Sequence, residues 1–446
     1  MQFIIIFRAL LGSKARVRRF IGVPFLLLYF YSQSALSAPL TLEQAWELAE
    51  LANPALRSKQ AGLAAVEGEL TDSHALLWNN PQLATEWRTR TIPQTATPAL
   101  ANRDWTVWLT QTFEIAGQQG KRRSTAEASL AATREEIVET RRQLRAEVEQ
   151  RFVRVLSLQL RIHTEEQMLK LTEEAATAIG KRAAAGEDSR LDGNLARVEA
   201  ERAQNQVSQL REQLVQARVE LVTLLQLPVD ILPEVDGNLD SSFAVLTPSK
   251  TVHTIEELLD SAANRPLLRV FEHREKAARS RLDFERASVY PDVTLGLSTA
   301  REGKVDSRET VTGLSLSLPL PLFRRNGTGI GRATTELTQV QVQQQAVQRE
   351  TRAQVLALWQ RWESLQARVK RLNESVLPSL QENQHLSSVS FRVGEIGLLQ
   401  LLLVNRQVLD GQRDLLDART ELRLTKITLD AAAGLCSACE PLTASP

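Results

Sequence analysis

Few residues in this chain have the chemistry of a reactive centre, and their spacing decides what they can do. The five histidines, His74, His163, His253, His273 and His385, are scattered with no ligand spacing between them. Cys436 and Cys439 are the only cysteines. Two thiolates cannot complete a four-ligand zinc site, which leaves a local disulfide or an idle tail. No nucleophile motif, phosphate loop or acid pair has a context that supports catalysis, and no cofactor is expected. What remains is electrostatic. Glu187, Asp188 and Asp192 follow Gly186, and Glu395 follows Gly394, so these carboxylates stand where helices begin behind glycine turns. The helix macrodipole favours acids there, and the same acids gathered around an axis would concentrate cations.

The elements that position these residues are written twice. Thr41-Leu42-Glu43 followed by Asn53-Pro54 returns as Thr254-Ile255-Glu256 followed by Arg265-Pro266, and Asn80-Pro81 returns as Tyr290-Pro291, an offset of about 212 residues. Behind each tip glycine a heptad pattern runs in one frame. In the first copy Ala200, Val207, Leu214 and Leu221 alternate with Ala196, Ala203, Leu210, Ala217 and Leu224. In the second copy Leu401, Val408, Leu415, Leu422 and Leu429 alternate with Val404, Gly411, Ala418, Thr425 and Ala432. Apolar residues every 3.5 positions with small partners describe closely packed, supercoiling helices.

Helix lengths give the architecture. The proline-free stretch Gln118 to Ala184 is roughly 67 residues, or about 100 Å, and Ile137, Leu144, Val148, Val155, Ile162 and Leu169 keep heptad spacing along it. Its companions, Asn53 to Asn79 and Asp188 to Leu227, sum to about the same length. The second copy repeats the arithmetic with Ile330 to Val393 beside Arg265 to Val289 and Glu395 to Gly434. A stripe of Leu358, Trp362, Leu365, Val369, Leu372 and Val376 runs along its long helix, where Pro378 predicts a kink or local break. Each copy should hold one long helix with two shorter ones stacked end to end beside it, and such pairs repeated around an axis enclose a tube. Aromatics are 5% and charged residues 24% of the chain, which suits long exposed helices, and a net charge of +1 gives no reason to expect a nucleic-acid partner.

Between the helices lie four segments of period two, one hairpin per copy, over 82–113 and 292–320. Leu83, Thr85, Trp87 and Thr89 face away from Ala84, Glu86, Arg88 and Arg90, and Trp105, Val107 and Leu109 from Thr106, Trp108 and Thr110. Val293, Leu295 and Leu297 face away from Thr294, Gly296 and Ser298, and Thr312, Leu314, Leu316, Leu318 and Leu320 from Gly313, Ser315 and Ser317. Strands of about ten residues, apolar on one side, with Trp78, Trp87, Trp105 and Tyr290 near their ends, suit a barrel in an outer membrane. Four strands cannot close such a barrel alone, so several copies must share it.

The N-terminus predicts export. Arg8, Lys14, Arg16, Arg18 and Arg19 precede an apolar run from Phe20 to Tyr31 and a small-residue exit, so residues 1–37 read as a signal peptide cleaved after Ser37. The expected organisation continues with a first repeat over 38–227, a linking segment over 228–253, a second repeat over 254–434 and a tail over 435–446.

With these features in place the chain resembles the TolC family of outer-membrane efflux channels over essentially its whole length after the signal. Gln111-Thr112-Phe113-Glu114-Ile115-Ala116-Gly117 followed by Gly120-Lys121-Arg122 is similar to the strand-to-helix signature of the CzcC-like, heavy-metal branch, and Leu318-Pro319-Leu320-Pro321-Leu322-Phe323 to the corresponding second-copy motif. The resemblance implies a mainly α protein with a membrane β-barrel portion. Long antiparallel helical hairpins form an α-barrel, and a homotrimer supplies four strands per chain to a 12-stranded β-barrel. It implies an outer-membrane location in a Gram-negative bacterium with a long periplasmic part, contact with outer-membrane lipid, and work beside a periplasmic adaptor and an inner-membrane pump of the resistance-nodulation-division type, without catalysis.

By the same resemblance Gly186, Gly394 and Gly397 mark tip turns where adaptor or pump docks. Asp192 falls where such channels carry an aspartate of a polar lock. Phe391, Ile396 and Leu403 replace its other members, so a salt-bridged lock is not expected. A ring of Asp192, with Glu187, Asp188 and Glu395 as further candidates, would form a cation-concentrating constriction. Divalent metal cations are the expected cargo. Multidrug efflux and type I secretion are alternatives that neighbouring pump and adaptor genes would separate. A periplasmic adaptor would show a single hairpin flanked by soluble β-domains.

Overall fold

The computed structural model of the chain describes residues 39–92, 100–186, 189–228, 230, 232–239, 254–304 and 307–435. Thr41 opens α1 (Leu42–Ala52) with a capping box closed by Gln44, and Thr254 opens α5 (Ile255–Ala263) with the same box closed by Glu257. Each box satisfies two backbone donors that a helix start would otherwise leave bare. Prolines then occupy the first turns of α2 (Pro54–Ser73) and α6 (Pro266–Ala287), where a missing N–H costs nothing. Strands β1 (Gln82–Ile92) and β2 (Leu100–Phe113) lead into the 68-residue α3 (Gln118–Ala185), which turns at Gly186 into α4 (Arg190–Leu225). After α6 the second copy continues with β3 (Val293–Lys304), β4 (Ser307–Ser317), α7 (Gly327–Arg371), α8 (Leu377–Arg392) and α9 (Leu398–Ala432).

The heptad expectations hold, while the length arithmetic does not: α2 ends at Ser73 rather than Asn79, so the 20 residues of α2 and 36 of α4 fall short of the 68 of α3. Every heptad position named for α4 and α9 is buried or half-buried, with Ala196, Val207, Leu210, Leu221, Val408, Leu415, Ala418 and Leu429 fully covered. The strands run further than the alternation indicated at the loop end, because β1 reaches Ile92, β2 starts at Leu100, β3 reaches Lys304 and β4 starts at Ser307. At the helix end β4 stops at Ser317 rather than at 320. Pro319 has no N–H for a ladder, and the prolines set Leu318, Leu320, Leu322 and Phe323 as an exposed apolar connection.

Pro378 does not break its helix. Its ring cannot donate to the carbonyl four residues back at Glu374, and the preceding segment Leu372–Val376 takes one π turn, so that Leu377 donates to Leu372 five residues back. The helix therefore continues from Gly327 to Arg392 with a bulge that absorbs the proline. On the facing helix Gly411 leaves room for Leu377 and Leu380; a Cβ built there would lie 2.5 Å from Leu380 Cδ1.

The main core girdles the middle. Leu42, Ala45, Ala49 and Leu56 pack on Val148, Phe152, Val155, Leu221 and Leu225, and Leu40 pairs with Val235 as a short parallel bridge that straps the linking segment to the same cluster. A smaller cluster of Leu258, Ala262, Val355, Leu429 and Ala432 occupies the equivalent place in the second copy. Among the described residues no helix is long and apolar enough to cross a membrane.

The four strands form one antiparallel sheet in the order β1-β2-β3-β4, so the β2–β3 pair joins the two copies. Register holds without a bulge: Leu83 lies opposite Leu109, Leu109 opposite Leu297, and Leu297 opposite Leu314. β1 and β4 each pair on one side only.

Candidate functional site

Three regions could carry function: the helical tips, the sheet, and the seam between the copies. At the first tip Gly186 has φ 85°, a left-handed conformation that glycine adopts without a side-chain penalty, and its N–H donates to Ala183 O. Ser189 then caps α4. Asp192 N–H donates to Ser189 Oγ at 3.1 Å, and Ser189 Oγ donates to Asp192 Oδ2 at 2.8 Å. The half-buried Asp192 carboxylate thus sits in the first turn of α4, held by its own cap.

At the second tip Gly394 has φ 81° and Glu395 N–H donates to Ser390 O at 2.9 Å, closing the end of α8. Ser390 Oγ donates to the exposed Glu395 carboxylate at 3.2 Å. Gly397 differs from the other two glycines. It is the N-cap of α9 with φ −81° and ψ 165°, extended backbone open to any residue, so the turn itself does not require glycine there. No hydrogen bond among the described residues brings Asp192 to Glu395. Glu187, Asp188, Cys436 and Cys439 lie outside the described residues, as do 1–37. The signal missed in the sequence is apolar: Leu191, Val393, Leu399 and Leu403 are all exposed at the tips.

The sheet has two unlike faces. One exposes the row Leu83, Leu109, Leu297 and Leu314 with Leu295, Leu316 and Trp87 beside it. The other is mostly small or polar apart from Trp108, with Gly296 against Ser315 and Thr110, and Gly313 so close to Ser298 that an added Cβ would lie 2.9 Å from its Oγ. The strand-to-helix motif holds the junction below: Arg122 donates to both oxygens of Glu114, at 2.7 and 3.1 Å, while its guanidinium stacks 3.7 Å from the Trp78 ring centroid. Gln118, buried, donates to Asp292 at 3.3 Å and ties the first long helix to the second hairpin.

The seam between copies is ionic. Glu165 on α3, 2% exposed, accepts from Arg413 on α9 through both oxygens, at 2.5 and 2.6 Å. Glu149 pairs with Arg423 and Arg161 with Asp417 along the same two helices. Burial raises the Glu149 carboxyl above its ordinary value against the pull of Arg423. Further up α3, Glu136 accepts from Lys59 of α2 and Arg274 of α6, bridging the copies. Burial alone would raise this carboxyl, yet those two cations hold it below its ordinary 4.5. A depressed carboxylate contributes stability above its unfolded value and loses it as pH falls through the folded one. Glu136→Gln should therefore lower the denaturation midpoint at neutral pH, with a gap from the native protein that narrows as the pH falls below 4.5. A gap independent of pH would show that the two cations do not hold that charge.

Among the described residues no group of three or more His, Cys, Asp or Glu side chains could hold a metal ion. A duplicated helical hairpin joined to a one-sided, open-edged apolar sheet is the build of a membrane channel subunit, not of a soluble helical protein. The family model described as outer membrane efflux protein matches residues 46–226 and 258–435. The chain belongs to that family, and the TolC-type fold expected from its motifs is the one it has. It is 26% identical over 383 residues to the cobalt-zinc-cadmium resistance protein CzcC of Cupriavidus metallidurans, covering 86% of this chain and 85% of that one. With the nickel-cobalt-cadmium resistance protein NccC of Alcaligenes xylosoxydans xylosoxydans it shares 24% identity over 76% of this chain and 74% of that one. The crystal structure of the outer membrane protein VceC from Vibrio cholerae superposes with a TM-score of 0.71 at 18% identity, covering 88% of this chain and 96% of that chain.

Proposed function

We propose that the chain is one subunit of a homotrimeric duct in the outer membrane of a Gram-negative bacterium, and that the duct passes divalent metal cations delivered by an inner-membrane resistance-nodulation-division pump through a periplasmic adaptor. The observation that carries this reading is the sheet, apolar on one face and unpaired at both edges. In lipid each bare strand edge would cost several kcal/mol per unsatisfied group, about the strongest penalty a fold can meet. Pairing β4 of one copy with β1 of the next removes both edges, and three copies give a 12-stranded barrel. Residues 1–37 would direct export, and the repeats over 38–227 and 254–434, linked by 228–253, would extend the duct into the periplasm.

The exposed Leu191, Val393, Leu399 and Leu403 support docking of an adaptor at the tips, with Gly186, Gly394 and Gly397 shaping the turns. Asp192, with Glu187, Asp188 and Glu395, supplies the candidate constriction. The metal assignment rests on the relatives, two of which are named for resistance to cobalt and cadmium. Deleting the gene should sensitise the host to one or more of zinc, cobalt, cadmium, nickel and copper, and sensitivity to drugs alone would overturn the cargo. For the constriction, Asp192→Asn keeps an acceptor for Ser189 while removing the charge. It should lower the cation preference of single channels in planar bilayers, and unchanged selectivity would remove Asp192 from the constriction.

A further inference from the structure

The two faces of the sheet treat their charges differently near the loop end. On the polar face each arginine has a partner: Arg88 donates to both oxygens of Glu86, at 2.5 and 3.0 Å, and Arg90 lies 3.7 Å from the buried Asp104. On the apolar face three exposed arginines stand at or beyond the aromatic row and none has an ion pair among the described residues. Arg301 lies opposite Trp105, itself opposite Trp87. Arg103 stands two residues beyond Trp105, on the same face by strand alternation. Arg308 lies opposite Gly303, diagonal to Arg301, and Gly303 offers no side chain to fill the space between them. Among the described residues the others of this face near that end, Thr89, Thr91, Ala101 and Thr310, are uncharged, so the described part of β1 in a neighbouring copy would bring no counter-ion to this face.

The order along the strands matches a lipid interface. From Phe113 to Trp105 the apolar face spans eight residue steps, about 27 Å of strand, of which barrel tilt leaves roughly 20 Å as height, somewhat under the ~25 Å of an outer-membrane apolar band. An aromatic row closes that stretch, with Arg301 in it opposite Trp105 and with Arg103 and Arg308 two residues beyond, on the end remote from the helices.

We propose that Arg103, Arg301 and Arg308 form a binding site for the phosphate of a phosphate-bearing glycolipid headgroup in the outer leaflet. Guanidinium forks match phosphate oxygens in pairs, and at this depth a headgroup phosphate is the anion within reach. The site fixes the barrel's height in the bilayer and gives its annular lipid a chemical preference. It rests on the reading of the apolar face as lipid-facing.

The test uses the full channel reconstituted in vesicles that contain a bis-phosphorylated glucosamine lipid, phosphatidylglycerol and phosphatidylcholine, then extracted and weighed by native mass spectrometry. The channel should retain the phosphorylated glucosamine lipid over the other two, with millimolar inorganic phosphate failing to displace it. The triple variant Arg103→Gln, Arg301→Gln, Arg308→Gln should lose at least about tenfold of that retention, while the polar-face pair Arg88→Gln, Arg90→Gln keeps it. Unchanged retention in an inserted triple variant overturns the site and leaves the lipid-facing reading intact. Displacement by inorganic phosphate, or equal loss in the polar-face pair, also overturns it. Failure of the native channel to insert overturns both.

Discussion

Arg413→Ala should lower the stability of the helical part by about 3–5 kcal/mol, the cost of stranding one member of a buried ion pair. Glu165 is 2% exposed, and both of its oxygens are bonded to Arg413, whose own pKa is raised first of all by that hydrogen bond. Removing the guanidinium, itself 26% exposed, leaves the nearly buried Glu165 carboxylate in the α3–α9 seam without its counter-charge. The neighbouring Arg161–Asp417 pair supplies the control, because its side chains are 30% and 51% exposed and water can replace the lost partner. Arg161→Ala should cost no more than about 1 kcal/mol. Denaturant midpoints followed by helical circular dichroism measure both, and a third protein, Glu165→Leu with Arg413→Leu, should recover much of the loss because no unpaired charge remains. Equal costs for Arg413→Ala and Arg161→Ala would mean that Glu165 is solvated in solution.

That seam marks the limit of what the sequence discloses. The heptad residues of α4 and α9 declared their buried faces, because apolar spacing acts over a few turns and does not depend on the partner. The tip glycines were legible for the same local reason, and Ser189 with Asp192 reads as a cap three residues apart. Glu165 and Arg413 are 248 residues apart in a chain full of arginine and glutamate, and nothing local distinguishes that pair from a dozen solvated ones. The β2–β3 pairing, which turns two hairpins into one sheet, is non-local in the same sense. Pro378 was visible as a disturbance, but the choice between a kink and a π turn depends on whether α9 offers a gap, and Gly411 supplies one. The outward arginines were hidden because alternation assigns a face only once the strand ends are known, and β2, β3 and β4 all run beyond the alternating residues legible in the sequence.

Leu297→Arg should cost about 2–4 kcal/mol of insertion free energy, the penalty for a cation at the midplane of an outer-membrane barrel. Leu297 is 52% exposed on the apolar face, with Leu109 and Leu314 as cross-strand neighbours. It stands midway between Val293 at the helix end of β3 and Arg301 beside the aromatic row, so an arginine there has the longest path to water at either interface. Thr106→Arg is the matched control. Thr106 lies on the polar face across from Glu86, where an added guanidinium meets solvent and a carboxylate instead of hydrocarbon. In vesicles the folded fraction, read as resistance to trypsin and as the heat-dependent shift on a gel, should fall steeply for Leu297→Arg and little for Thr106→Arg. In detergent micelles, which bend around a cation more readily than a bilayer does, the two should converge. Equal insertion of both variants in vesicles would mean that the apolar face of the sheet does not meet lipid, and the open edges of β1 and β4 would then need another partner.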